Sequence, residues 1–397
     1  MTNKNIPTLR FSEFNNEWVK KKIVDFGEIV TGSTPSTKVE KYYANSGIPW
    51  ITPTDIEKEI TIHSNKYLSD IGAEVARIVP ENSILVTSIA SIGKNTILGV
   101  RGSFNQQINA VIPKREYSPY FLFSQSKLWS KKMKNLAASG TMQIINKTEF
   151  SNLDFYVPAS EEQSAIGTLF QTLDELLSAY KDNLANYQAF KASMLSKMFP
   201  KAGQTTPEIR LEGFNSEWEE KKLGDLGSVA MNKRIFKDET SESGEIPFYK
   251  IGTFGKEADS YISRDKFEEY KSKYPYPEIG DILISASGSI GRTIVYNGEE
   301  AYYQDSNIVW LKHEGRLDNN FLKQFYNIVR WSGIEGTTIK RLYNKNILET
   351  SVNVPSLSEQ QAIGSFFSNL DELISTYQEK IVQLETLKKK LLQDMFV

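Results

Sequence analysis

One unit of about 200 residues is written twice in this chain, and no other feature constrains the fold as much. Residues 7–29 (PTLRFSEFNNEWVKKKIVDFGEI) and 207–229 (PEIRLEGFNSEWEEKKLGDLGSV) share ten of 23 positions, including Pro7/Pro207, Arg10/Arg210, Trp18/Trp218 and Gly27/Gly227. Ile48-Pro49-Trp50 returns as Ile246-Pro247-Phe248, Ser91-Ile92-Gly93 as Ser289-Ile290-Gly291, and Gln106/Asn109 as Gln304/Asn307. Residues 157–199 and 354–396 share 18 of 43 positions. A repeat of this length implies two homologous domains rather than a solenoid of small units. The copies agree at their edges and differ in their middles, about 30–47 and 110–150 in the first, so one scaffold carries two rewritten sets of loops.

Each copy ends in a segment of helical period. Apolar residues fall at Ile166, Phe170, Leu173, Leu177, Tyr180, Leu184, Tyr187, Met194 and Met198, and again at Ile363, Phe367, Leu370, Ile374, Tyr377, Ile381, Leu384, Leu391 and Met395. Steps of four and three make a coiled-coil seam. Both seams break at one shared position, Lys191 and Lys388, where a single lysine can set register at some cost in stability. Ser160 with Gln163 reads as a capping box at the first helix start, and Ser358–Gln361 allows the same at the second. A helix of about 40 residues is ~60 Å long, whereas a domain of about 155 residues is only some 40–45 Å across. Residues 201–355 must connect the end of the first helix to the start of the second, so the helices are expected to run antiparallel. The expected fold is α+β: two tandem, related domains, 1–157 and 201–355, separated by helices over 158–200 and 356–397 in a pseudo-two-fold dumbbell. Ser83–Ser88 and Asp281–Ser285 read as buried strands, as do Asn109–Pro113 and Asn307–Leu311, while 119–135 and 318–331 read as helices.

With 397 residues, 40% of them hydrophobic and 24% charged, the chain has the composition of a globular protein. It has no cysteine, which excludes thiolate metal sites and a cysteine nucleophile, and its only histidines are His63 and His313. No apolar run reaches a membrane span, and residues 1–7 hold no apolar leader core, so a cytoplasmic location is expected. Net charge is −2; residues 1–159 hold 19 Lys+Arg against 14 Asp+Glu, and residues 201–355 hold 21 against 24. Polyanion binding must therefore use local patches or a partner's charge. No two glycines are spaced G-x-G and no P-loop exists, which removes the usual glycine loops for dinucleotides and nucleotides. No proline follows Asn or Asp, so an Asn-Pro-Pro-aromatic methylation signature is absent. Glu269-Tyr270-Lys271 with Asp259 imitates a nuclease triad but lies in a charged, helical stretch.

The order of the short motifs resembles the specificity subunits of type I restriction–modification systems. The matching segments are Gly32–Ser36, Ile48–Ile51, Ser91–Lys94, Asn105–Asn109, Gly140-Thr141 and Val157-Pro158 with Glu162-Gln163, all leading into the heptad helix. Copy two departs from the pattern, with Asn232–Phe236 in place of Gly32–Ser36 and Gln304–Asn307 in place of Gln106–Asn109. The resemblance implies two target recognition domains that each read one half of a split sequence in double-stranded DNA. It also implies docking of two methyltransferase (modification) subunits on the helices, and motor-nuclease (restriction) subunits in the larger complex. S-adenosylmethionine, ATP and Mg are then expected in those partners, with no cofactor or metal and no catalytic residue in this chain.

Major-groove reading uses Arg or Lys on guanine and Asn or Gln on adenine, and positioning uses polar groups on phosphates. The segments with that chemistry give the candidate DNA contacts Ser36, Lys38, Lys94, Asn95, Thr96, Gln143 and Lys147 in copy one. In copy two they are Lys233, Arg234, Lys237, Arg292, Thr293, Lys340 and Arg341. The amides of Asn105–Asn109, Gln304 and Asn307 are read as structural, and Ser91–Gly93 and Ser289–Gly291 as either a turn or a phosphate approach. Leu173, Leu177, Tyr180, Leu184, Leu370, Ile374, Tyr377 and Ile381 are the expected helix seam. The competing readings are a self-contained DNA methyltransferase or nuclease, and a two-headed scaffold that binds proteins.

Overall fold

A computed structural model describes residues 5–138, 144–331, 333 and 340–397. The chain folds as two compact units, Met1–Asp182 with Gln378–Val397, and Asn183–Tyr377. The first long helix is Ser160–Lys197 and the second Leu357–Asp394, so each helix contributes residues to both units.

In the first unit a five-stranded sheet has the order Gly27–Thr31, Ile108–Pro113, Ile84–Thr87, Asn95–Leu98, Ile60–Thr61. A second five-stranded sheet is built from short strands around Ile48–Ile51 and Gly102–Phe104, which pair in parallel. In the second unit the first sheet recurs with four strands, Ser228–Ala230, Ile308–Lys312, Ile282–Ser285 and Thr293–Val295, and the second with three. The strand pairs predicted from sequence are therefore neighbours at the middle of each main sheet. Their residues run as near-continuous apolar stretches because both faces are covered. A small ladder closes each unit in the same register, Val19 opposite Val157 and Glu219 opposite Val354. The middles differ as expected: helix Pro119–Ala138 has 20 residues, and its counterpart Asn319–Ile328 has ten.

Both helix starts are closed by a device that differs from the expected capping box. The Gln163 side chain donates to the Pro158 carbonyl at 2.9 Å and accepts the Ser118 N–H at 3.2 Å. Gln360 repeats this on the Pro355 carbonyl and the Asp318 N–H. The glutamine is drawn away from the helix's own first turn because it has a half-buried backbone N–H of its domain to satisfy. At the second start the Glu359 N–H donates to Ser356 Oγ, so the capping serine is Ser356 and not Ser358.

Within each unit the two long helices run antiparallel. In the first unit Phe170 meets Phe396 and Lys181 pairs with Glu385. In the second, Tyr187 meets Tyr377 and Phe190 meets Phe366. Of the expected seam, Leu173, Leu177, Leu370 and Ile381 are buried, and Tyr180, Leu184, Ile374 and Tyr377 are half-buried. The helix ends carry an anchor that the seam pattern did not reveal. Phe396 stacks on Phe121 and lies edge-on to Trp18 in the first core. Phe199 makes the same contacts with Phe321 and Trp218 in the second. Arg10 and the Trp18 indole N–H both reach the carboxylate of Glu162, and Arg210 and Trp218 do the same with Glu359.

Removing one of these aromatic plugs leaves a cavity bounded by rigid rings. Phe396→Ala should cost the first unit about 3–5 kcal/mol, and Phe199→Ala the second by a similar amount. Calorimetry of the full chain checks this: one transition should move far down in temperature for each variant, and both melting as wild type would refute the anchor.

Candidate nucleic-acid interface

Strand direction gathers the loops that carry half of the predicted contacts. Strands Gly27–Thr31 and Ile84–Thr87 both run antiparallel to Ile108–Pro113, and their last residues, Thr31 and Thr87, face Asn109 and Ile108. The loops after Thr31, after Thr87 and before Ile108 therefore leave one end of one sheet. In the second unit Ala230 and Ser285 end opposite Trp310 and Ile308, and the same three loops emerge there.

The turn after each central strand has one geometry in both units. The Lys94 N–H donates to Thr87 Oγ1 at 2.9 Å, the Gly93 N–H donates to the Thr87 carbonyl, and Thr87 Oγ1 also bonds the Ser91 carbonyl. Ser285 holds Arg292, Gly291 and Ser289 identically. Gly93 and Gly291 sit at φ of 81° and 82°, which a side chain would strain. The Ser-Ile-Gly segment is thus a turn that aims the next residue, Lys94 or Arg292, into solvent. A second segment lies beside this turn, bridged Ile89 to Ile144 in one unit and Ser287 to Arg341 in the other. Lys147 is exposed just after it in the first unit, and Lys340 and Arg341 are exposed on it in the second, where the Gly288 N–H donates to the Lys340 carbonyl.

The first loop is seated differently in the two copies. Gly32 lies so close to the 104–105 backbone that a Cβ would stand 2.1 Å from the Asn105 carbonyl oxygen. Its loop is then tied down by the Ser33 N–H to Phe104, the Trp50 indole to Ser33 and the Tyr43 hydroxyl to Pro35. Ser36 and Lys38 project from it into solvent. In the second unit exposed Lys233 lies over the Tyr274 ring, Arg234 pairs with Asp305 at 3.0 Å, and Lys237 is exposed.

Two predicted contacts are corrected. Asn95 and Thr96 lie in a strand between two others and under helix Pro119–Ala138, with Asn95 7% exposed and Thr96 fully buried. Asn95 holds Ser130 and Lys127, and Thr96 bonds Thr61 and the Glu59 carbonyl, so neither can meet DNA. Their polar run reads as a loop, but its side chains have protein partners on both faces of the sheet. Thr293 is half-buried at the matching strand, and Gln143, Gly140-Thr141 and Gly336-Thr337 lie outside the described residues. The structural reading of the amides holds: Asn109 joins Thr31 to Ser88, and Asn307 accepts from Ser287. Gln304 accepts the Ile251 N–H. Arg77, missed in the sequence, stands at the same sheet end, its guanidinium on the Thr31 carbonyl at 2.6 Å. It follows a short helix far from Thr31 in sequence, and only the fold reveals the proximity. Glu269 and Lys271 lie on the helix Arg264–Lys273, where Glu269 pairs with Lys273 and Lys271 covers Phe267.

The model of the type I restriction modification DNA specificity domain matches the chain twice, over residues 15–187 and 215–386. A specificity subunit of a type I restriction enzyme from Haemophilus influenzae is 52% identical over 159 residues, which cover 40% of this chain and 41% of that protein. The MjaIX specificity subunit of Methanocaldococcus jannaschii is 27% identical over 95% of this chain and 92% of its own length. The fold is similar to the crystal structure of the S subunit from M. genitalium, with a TM-score of 0.68 at 18% identity over 99% of each chain.

Proposed function

Because this chain belongs to the type I restriction–modification DNA specificity family, we propose that each unit reads one half of a split DNA sequence with the loops at its sheet end. One observation carries the reading: the same sheet end in both units bears loops whose sequences have been rewritten, Gly32–Lys38 in one and Asn232–Asp238 in the other. A kept frame with exchanged loops is how base preference changes without refolding. The exposed Lys94, Lys147, Arg292, Lys340 and Arg341 supply phosphate and guanine chemistry beside them.

The chain is a reader and not itself an enzyme; methyl transfer with S-adenosylmethionine, and ATP- and Mg-dependent cleavage, belong to its modification and restriction partners. Apolar side chains outside the seam, Leu176, Val382 and Leu387, are exposed along the helices and offer the modification subunits a surface. None of the helices in the described residues is long and apolar enough to cross a membrane, and the proposed place of work is the cytoplasm.

With a net charge of −2 the chain neutralises few phosphates by itself. Alone it should bind DNA weakly and with a shallow salt slope, and adding its modification subunits should raise both affinity and slope. Titration of labelled duplex at several salt concentrations measures this. Tight sequence-specific binding by the chain alone would contradict it, and binding of labelled S-adenosylmethionine by the chain alone would favour the self-contained methyltransferase instead.

A further inference from the structure

The lysines that interrupt the seam have partners that the heptad pattern does not disclose. In the first unit Lys388 of the second helix is ion-paired with Asp174 of the first helix, and with Glu59 of the domain at 3.1 Å. The Tyr120 hydroxyl of that domain donates to the same Asp174 at 2.7 Å. In the second unit the helices exchange roles. Lys191 of the first helix pairs with Asp371 of the second, and Lys323 of the domain reaches Asp371 at 2.9 Å. Asp174 and Asp371 hold the same place in the repeated Leu-Asp-Glu-Leu, just as Lys191 and Lys388 match each other. Each junction therefore joins three bodies: one helix, the other helix and the domain.

Lys388 and Asp371 stay charged. Burial alone would pull Lys388 down, but Asp174 and Glu59 outweigh it and hold the ammonium above its ordinary value. Burial would likewise raise Asp371, yet Lys191 and Lys323 keep it below the ordinary carboxylate value. An apolar seam tolerates small rotations because its attraction has no direction. A charged hydrogen bond does not, and a partner turned away leaves a costly unpaired charge.

We propose that the junctions centred on Lys388–Asp174 and Lys191–Asp371 are positioning devices: through the domain residues Glu59 and Tyr120 in one and Lys323 in the other, each fixes the angle at which its domain is held on its part of the helix pair, and thereby the gap between half-sites that the protein accepts. This rests on the reading that each unit recognises a half-site, and the pairs themselves touch no base.

The test separates the domain's share from the helix pairing. Lys323→Gln, and Tyr120→Phe with Glu59→Gln, remove the domain's contacts and leave both Lys–Asp pairs in place. A further variant, Lys191→Asp with Asp371→Lys, keeps the helices attracted but sets a lysine against Lys323; adding Lys323→Asp restores the third contact. Each full chain is assembled with its modification subunits and assayed for methylation on a DNA library with both half-sites fixed and the gap varied. Loss of one ionic contact should raise methylation at the neighbouring gaps, relative to the native gap, by roughly tenfold. Half-site identity should not change, and the triple variant should recover the narrow profile. A profile as narrow as wild type in the Lys323→Gln chain would overturn the proposal. So would a lowered melting temperature with an unmoved profile, which is all that a merely structural pair would give. A wild-type assembly with no preferred gap would bring down the half-site reading itself, and the proposal with it.

Discussion

Replacing residues 201–355 by the corresponding segment of another family member is expected to change one half of the recognised sequence completely and leave the other half as it was. The second unit holds a core of its own around Trp218, Phe321 and Phe367. The first is organised separately around Trp18, Phe121 and Phe170. Base-reading energies at sites with no shared partner add, so preference in one half should not depend on which loops fill the other. A wrong base at a good contact costs about 1–3 kcal/mol. Over several positions this makes the switch between old and new half-sites a matter of orders of magnitude in methylation rate. The incoming segment must bring counterparts of Arg210 and Trp218 for Glu359 and of Phe321 for Phe199, or the chimera will fail to fold for reasons unrelated to DNA. A folded chimera that alters both halves would show that the two readings are coupled.

The second large effect concerns the length of the helices. One heptad added to each, after Asp182 and after Tyr377, lies between the two charged junctions and leaves Lys388–Asp174 and Lys191–Asp371 in place. Seven residues add ~10 Å of helix, and a whole heptad keeps the seam in phase. At about 3.4 Å per base pair this calls for roughly three more base pairs between half-sites. Three base pairs also turn the second half-site by about a hundred degrees around the duplex. Activity at the native gap should therefore collapse, and any new optimum should lie at a longer gap with both half-sites unchanged. Methylation of a library of gap lengths reads this directly. A well-folded, active variant with an unmoved optimum would end the idea that the helices measure distance.

The repeat announced two domains, and the four–three spacing announced the helices, because both signals depend only on the order of apolar residues and of residues repeated between the copies. Helix Ser160–Lys197 spans the first seam from Ile166 to Met194. What the pattern could not give was pairing between elements distant in sequence. Asp174 reads as one more polar residue beside the seam, and only folding brings Lys388 to it. The Met-Phe at each helix end was visible as an identity, but its role as a core plug needed Trp18 and Phe121 in view. At the sheet end, the turn before Lys94 and Arg292 is legible from its small residues, whereas Asn95 and Thr96 read as a loop and are buried. A short polar run carries no sign of whether helix Pro119–Ala138 will cover it. Arg77 went unnoticed for the converse reason, since its place beside Thr31 is set by tertiary contacts.

If two units of one chain each read half of an interrupted DNA sequence, methylation in the cell must carry that pattern. Methylated bases mapped across the DNA of cells that carry this chain with its modification subunits should fall in a single motif of two short, unrelated specified blocks separated by unspecified bases of one fixed number, lost when the gene for this chain is deleted. A continuous motif, or a modification pattern unchanged by that deletion, would contradict it.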